Sequence, residues 1–258
     1  GTSRDMTALQ MLASPIFYVM LAMMFIGATI GLMMISETAA IAQTMLGMSS
    51  SAAALIVSTY ALFNTGSRIV VGWISDKIGR IRTITYVLVL MVLSLLAIYL
   101  SGLNGNTFLF RAGICLIGFS YGSFMGIYPA FTSDQFGVKY SALNYGILFI
   151  GFSLACVVGP LIMQKIFSEF ASYRPSFPIA IVFALIGIAL TFLYRAAGSP
   201  AGYANSGYTD VPETSYCAAP VAWAVALRIT SGTGALTFSP DDLCTRAQIA
   251  TFLYRANA

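Results

Sequence analysis

The sequence contains no histidine. That removes the usual general base, a Ser-His-Asp triad and most zinc sites. Charge is scarce as well: Asp, Glu, Lys and Arg make up 9% of 258 residues, against about a quarter in a soluble domain. Four cysteines are present. Cys115 and Cys156 fall in apolar runs, Cys217 and Cys244 lie in the polar C-terminal stretch, and none forms a CxxC pair. No metal, cofactor or catalytic constellation is expected, and the chain does not read as an enzyme. A Cys217–Cys244 disulfide stays open. The small surplus of positive charge sits in loops of the first 195 residues, which hold ten Lys/Arg and five Asp/Glu. It therefore does not read as a nucleic-acid patch. The chain starts at Gly1 without a methionine or a signal-like stretch, as a piece of something longer would.

What fills the sequence is apolar. Hydrophobic residues make up 58% and the mean hydropathy is +0.84. Six runs approach the roughly 20 apolar residues that a lipid-crossing helix needs: Pro15–Ser36, Ala52–Ile74, Ile84–Ser101, Thr107–Thr132, Asn144–Phe167 and Phe177–Tyr194. The expected fold class is an all-α membrane protein, with six transmembrane helices over residues 1–195 and a small α-helical module over 196–258. Pro15 suits a first helical turn, and turn signals separate the runs. With the N-terminus inside, Arg4, Lys77, Arg80, Arg82, Lys139 and Arg195 fall on the inner side, and only Lys165 and Arg174 fall outside. That bias places both ends of the six-helix unit in the cytoplasm.

Arg68 is the residue most in need of a reason. It precedes Asp76 by about 12 Å of helix, near mid-membrane, where a charge costs at least about 2.5–3.5 kcal/mol. It is expected to face a wet cavity and pair with a carboxylate, since a planar guanidinium can bind both carboxylate oxygens. Asn64, one turn earlier, could orient it. A structural arginine bonded to helix carbonyls is the competing reading. The charged cluster that follows, Gly72, Asp76, Lys77, Gly79 and Arg80, reads as a latch. Gly72 lets a helix approach, Gly79 permits a turn of positive φ, and Asp76 caps a neighbouring helix or pairs with Arg80 or Lys77. Tyr121, Ser123 and Tyr128 are weaker candidates for a cavity lining. Arg111 is expected to snorkel and Glu37 to be solvated. The small-residue rows Gly27/Gly31 and Gly118/Gly122/Gly126 suit close packing of helices.

The cluster Gly72-Trp-Ile-Ser-Asp76-Lys77-Ile-Gly79-Arg80 resembles the signature loop of the major facilitator superfamily, departing from it only at Ile81. The runs FNTGSRIVVGWISDKIGR, SPIFYVMLAMMFIGATIGLMMIS and DQFGVKYSALNYG, with a later VVGP, resemble the C-terminal half of the oxalate/formate antiporter family. The resemblance covers about 190 residues. It implies half of a twelve-helix rocker-switch antiporter in a bacterial cytoplasmic membrane. The missing N-terminal half, or a second copy, would complete the site. Arg68 matches that family's basic residue on the eighth helix. The oxalate carrier's lysine on the eleventh helix has no counterpart: no Lys or Arg lies between Lys139 and Lys165, and Phe152 stands near its place. One cation instead of two implies a monocarboxylate substrate such as formate, lactate or pyruvate.

From about Thr191 the composition turns to Gly, Ser, Thr, Ala and Pro, and TFLYR at 191–195 recurs at 251–255. Tyr208-Thr-Asp210-Val211, Ala222-Trp223-Ala224, Ile229-Thr-Ser-Gly232-Thr233, Phe238-Ser-Pro240 and Thr245-Arg246-Ala247-Gln248 resemble one S-layer homology (SLH) repeat. The resemblance implies an acidic cell-wall polysaccharide as ligand, with Gly232, Thr245, Arg246 and Gln248 at its site. Gln248 departs from the family's usual Glu. A cytoplasmic tail and a wall-binding repeat conflict, so the join is expected to be a mosaic. The alternative to a carrier is a membrane-anchored wall-attachment protein.

Overall fold

The computed structural model describes residues 5–197 and, of the tail, 207–211, 221–222, 224–225, 229–234, 236–240, 242, 245, 248 and 251–252. The described residues are helical or irregular, and six helical spans are long and apolar enough to cross a membrane. A short α1 (Ala8–Leu12) leads into α2 (Pro15–Leu46), α3 (Ser50–Ile78), α4 (Arg80–Asn104) and α5 (Thr107–Phe136). Then follow α6 (Ser141–Leu148), α7 (Ile150–Phe170) and α8 (Ser176–Ala197). Helices α6 and α7 form a single span. Phe149 between them keeps right-handed helical angles and bonds its N–H to Tyr145 O at 2.8 Å, so the axis continues.

The end of α2 differs from expectation. Hydropathy drops at Ser36, but Thr38–Leu46 contains good helix formers, and Ile41 and Ala42 are buried. The helix therefore runs ten residues further and stops at Gly47, whose φ of +62° closes the turn. Glu37 is consequently not a loop residue. It accepts a hydrogen bond from the Tyr173 hydroxyl at 2.9 Å, which corrects the expectation of a solvated carboxylate.

The glycine rows set the packing. A Cβ on Gly118 would lie 2.8 Å from Tyr60 O, one on Gly122 would overlap Asn64 O, and one on Gly126 would lie 2.5 Å from Arg68 O. Each step of four residues on α5 is matched by four on α3, so the two helices run parallel in tight contact. On α2, Gly27 lies under the Phe124 ring and Gly31 under the Tyr121 ring, and this order makes α2 antiparallel to α5. Gly151 and Gly159 seat α7 parallel to α2, against Leu21 O and Thr29 O. The core between these helices is rich in methionine: Met20, Met23, Met24, Met33 and Met34 are all fully buried. Their flexible side chains fill the irregular space between the aromatic rings.

A second compact unit begins at Arg195. In it the Asp210 carboxylate accepts the N–H groups of Phe238 (2.8 Å) and Ser239 (2.6 Å), and Val211 and Val221 form a small buried cluster. The carboxyl lies below its usual range because those backbone donors favour its charged form.

Candidate functional site

Arg68 projects from the middle of α3 and is exposed, while Asn64, one turn back, is buried. The guanidinium donates to Asn64 Oδ1 at 3.1 Å. This is one bond to a neutral amide for a group that carries five donors. The backbone beneath is fixed: Gly122 and Gly126 press on the carbonyls of Asn64 and Arg68. Tyr121 from α5 and Tyr145 from α6 both lie within electrostatic range of the guanidinium, and Cys156 of α7 lies close to Tyr121. Residues from α5 and α6 thus lie around one under-satisfied cation on α3, with α7 next to Tyr121. Next to it, Tyr145 packs on Phe149 (5.5 Å) and Phe149 stacks on Phe152 (4.6 Å). An aromatic stack therefore continues along α6–α7 from Tyr145, near Arg68, to Phe152.

Tyr128 does not join this group, which corrects its expected place in the lining. Its ring is fully buried, stacked on Phe124 at 5.8 Å, and its hydroxyl donates to Met20 O at 3.2 Å. Tyr128 lies seven residues, about two helical turns, beyond Tyr121 and is hard to distinguish from it by sequence. Only the wrap of α5 around α2 separates them. Ser123 is likewise buried, bonded to Phe119 O at 2.7 Å. Tyr145 lies in the DQFGVKYSALNYG run, but nothing in that run marks it as a site residue, and Cys156 sits in an apolar stretch with no motif of its own.

The charged cluster at the end of α3 has a different character. Arg80 pairs with Asp76, donates from NH1 to Ser75 Oγ at 2.6 Å and from Nε to Asp134 Oδ2 at 2.9 Å. Its side chain is only 17% exposed, whereas both carboxylates are more than half exposed. Asp134, in the last turn of α5, is the partner that sequence spacing did not reveal. The N-terminus of α4 has no side-chain cap, so Asp76 does not cap it. Lys77 places its ammonium 3.8 Å from the centre of the Trp73 ring, a cation–π contact of the kind found at a membrane interface. Gly79 has φ of +93°, the conformation that favours glycine. Gly72 is not required for close approach within this unit, because the nearest atom to an added Cβ is Gly126 O at 3.8 Å. Gly126 takes that role. Tyr194 of α8 closes the same corner, donating to Gln135 Oε1 at 2.5 Å.

Among the described residues no group of three metal-ligating side chains converges. Of the tail positions, Thr245 and Gln248 bond each other, with Thr245 N–H to Gln248 Oε1 at 2.8 Å and Gln248 N–H to Thr245 Oγ1 at 3.2 Å. Gly232 has φ of +76°. Arg246, Cys217 and Cys244 lie outside the described residues.

A family model described as "Major Facilitator Superfamily" matches residues 16–253, a span that takes in all six membrane-length helices and most of the tail. The chain is 33% identical over 155 residues to an uncharacterized MFS-type transporter, YhjX, of Escherichia coli (strain K12), covering 60% of this chain and 38% of that protein. It is 29% identical over 200 residues to the oxalate:formate antiporter of Oxalobacter formigenes, covering 77% of this chain and 47% of that one. The chain thus spans less than half the length of either relative. Among solved structures, the POT family transporter PepTSo matches with a TM-score of 0.62 at 15% identity, over 70% of this chain and 37% of the other. That likeness concerns the fold alone.

Proposed function

The chain belongs to the Major Facilitator Superfamily, and from that premise we propose that it forms one half of a secondary antiporter for small monocarboxylates. The carrying observation is the single, exposed, under-satisfied guanidinium of Arg68, held at Asn64 and flanked by Tyr121 and Tyr145. A carboxylate would take two of its free N–H groups, and a tyrosine hydroxyl would donate to a carboxylate oxygen. The Phe149–Phe152 stack accommodates a small apolar tail better than a second carboxylate. That favours formate, lactate or pyruvate over a dianion. Facilitator sites lie between two halves near the midplane, so a second six-helix unit, supplied by a longer chain or a second copy, completes the cavity. The Asp76–Arg80–Asp134 triad serves as the latch that opens when the halves rock. Loop charge supports a bacterial cytoplasmic membrane with both ends of the six-helix unit inside.

A thermal-shift screen of formate, lactate, pyruvate and oxalate at matched ionic strength tests this reading. Monocarboxylates are expected to stabilise the protein more than oxalate, and Arg68→Gln to abolish the shift. Oxalate exchange in liposomes that Arg68→Gln leaves untouched defeats the reading. The second reading, a wall anchor, rests on the Asp210-clamped loop and the Thr245–Gln248 pair of the tail, which support an SLH-like turn. Strong labelling of Cys217 from outside intact cells, together with retention of the protein on purified cell wall, is the outcome that favours it.

A further inference from the structure

Helices α3 and α5 touch from Tyr60/Gly118 onward. Before that point they splay. The opening is a cleft of about 110 Å³ lined by Ala52, Leu55, Ile56 and Thr59 of α3 and by Arg111, Ile114 and Cys115 of α5. Thr59 lies about 14 Å from the start of α3 and Cys115 about 12 Å from the start of α5. Because the helices run parallel, both starts lie at the same membrane face. The lining covers about 10 Å of α3 and about 6 Å of α5, so the cleft lies within one leaflet of a hydrocarbon core roughly 30 Å thick. Its mouth carries Arg111, one turn into α5 and exposed. Among the described residues this side chain has no hydrogen-bond or carboxylate partner. Nine residues, two and a half turns, separate Thr59 from Arg68, so the cleft and the candidate anion site face opposite sides of α3.

We propose that this cleft holds one anionic phospholipid, with an acyl chain along Leu55, Ile56 and Ile114 and the phosphate on Arg111. The cation supplies the charge complement, the walls supply the apolar surface, and the cleft lies within a single leaflet. The site is independent of what the carrier transports.

Native mass spectrometry of the full chain, released from detergent after delipidation and titrated with phosphatidylglycerol, tests it. One bound phosphatidylglycerol per chain is expected. Occupancy should fall roughly tenfold in Arg111→Gln, the worth of one charge-assisted hydrogen bond, and recover in Arg111→Lys. Leu55→Trp, at a position 66% exposed, fills the cleft and should lower occupancy with Arg111 intact; it carries the test alone if Arg111→Gln does not fold. Phosphatidylcholine, whose choline offsets the phosphate charge, should bind severalfold more weakly, and sn-glycerol 3-phosphate should not compete. Equal retention by parent, Arg111→Gln and Leu55→Trp overturns the proposal, as does full competition by glycerol 3-phosphate or equal binding of the two phospholipids.

Discussion

Arg68 and Arg80 stand twelve residues apart on either side of the α3 terminus, yet their surroundings are opposite. Arg80 is 17% exposed and engages two carboxylates and a serine hydroxyl. Arg68 is exposed, fastened by one neutral amide, with tyrosines nearby and no carboxylate bonded to it among the described residues. A guanidinium whose donors are used up inside its own unit is a fastener. One whose donors are left over, in a place where leaving them is costly, has them free for a partner from outside, which is what the proposed function asks of it. The difference lies in satisfaction rather than in residue type.

The largest expected effect separates the two directly. Arg68→Gln should weaken carboxylate binding by about 2–5 kcal/mol, at least roughly thirtyfold, with an unchanged ligand-free melting temperature. Arg80→Gln should do the reverse. Affinity stays within a few-fold while stability falls by about 1 kcal/mol, the smaller figure because its acidic partners are exposed and screened by solvent. Equal affinity losses in thermal-shift titrations of the two variants erase the distinction.

Next in size is the platform under Arg68. Gly122→Leu should cost about 1–3 kcal/mol through overpacking against Asn64 and Ser67, whereas Gly72→Ala should be close to neutral, as its Cβ has room. Paired melting curves in one detergent decide the order.

A third expectation concerns the end of the bundle where α7 meets α8. Burial and the Glu37 carboxylate push the Tyr173 hydroxyl up to about 12. A raised folded-state value makes the stabilisation complete below the unfolded value of about 10, and it is lost as pH rises from there through 12. Tyr173→Phe should flatten the alkaline limb of a pH–melting profile. The smallest effect is in the second unit. Asp210 has a lowered folded-state value, so its contribution is present above the ordinary carboxylate range and disappears as pH falls below it. Hydrogen exchange at the Phe238 and Ser239 amides should lose protection in acid, and Asp210→Asn should lose it at neutral pH.

The six spans were legible because lipid imposes a length and a hydropathy that no local detail overrides. Arg68 stood out in the sequence because the cost of a charge at mid-membrane is visible in one residue. Helix α2 beyond Ser36 was not, since hydropathy ends there while helix propensity continues, and Tyr173 supplies Glu37 with a donor 136 residues away. Asp134 escaped for the same reason: it reaches Arg80 across 54 residues of chain. Tyr128 and Tyr121 share a helix, a residue type and burial in the core, and only the third dimension brings Tyr121 near Arg68. The glycines show the limit most clearly. Their rows announced tight packing, but which of Gly72 and Gly126 bears the contact depends on the register between helices.

That register has a mechanical consequence. With three consecutive backbone contacts in step, α3 cannot slide or roll on α5 without steric overlap, so the pair behaves as a splint with Arg68 mounted on it. Spin labels placed on α3 and α5 should therefore report one narrow distance with or without a monocarboxylate, and, on the proposed carrier reading, a label pair spanning α3 and the second six-helix unit should broaden or shift. On the proposed carrier reading, the arginine reaches alternate faces of the membrane by being carried, with its own helix pair as the rigid body.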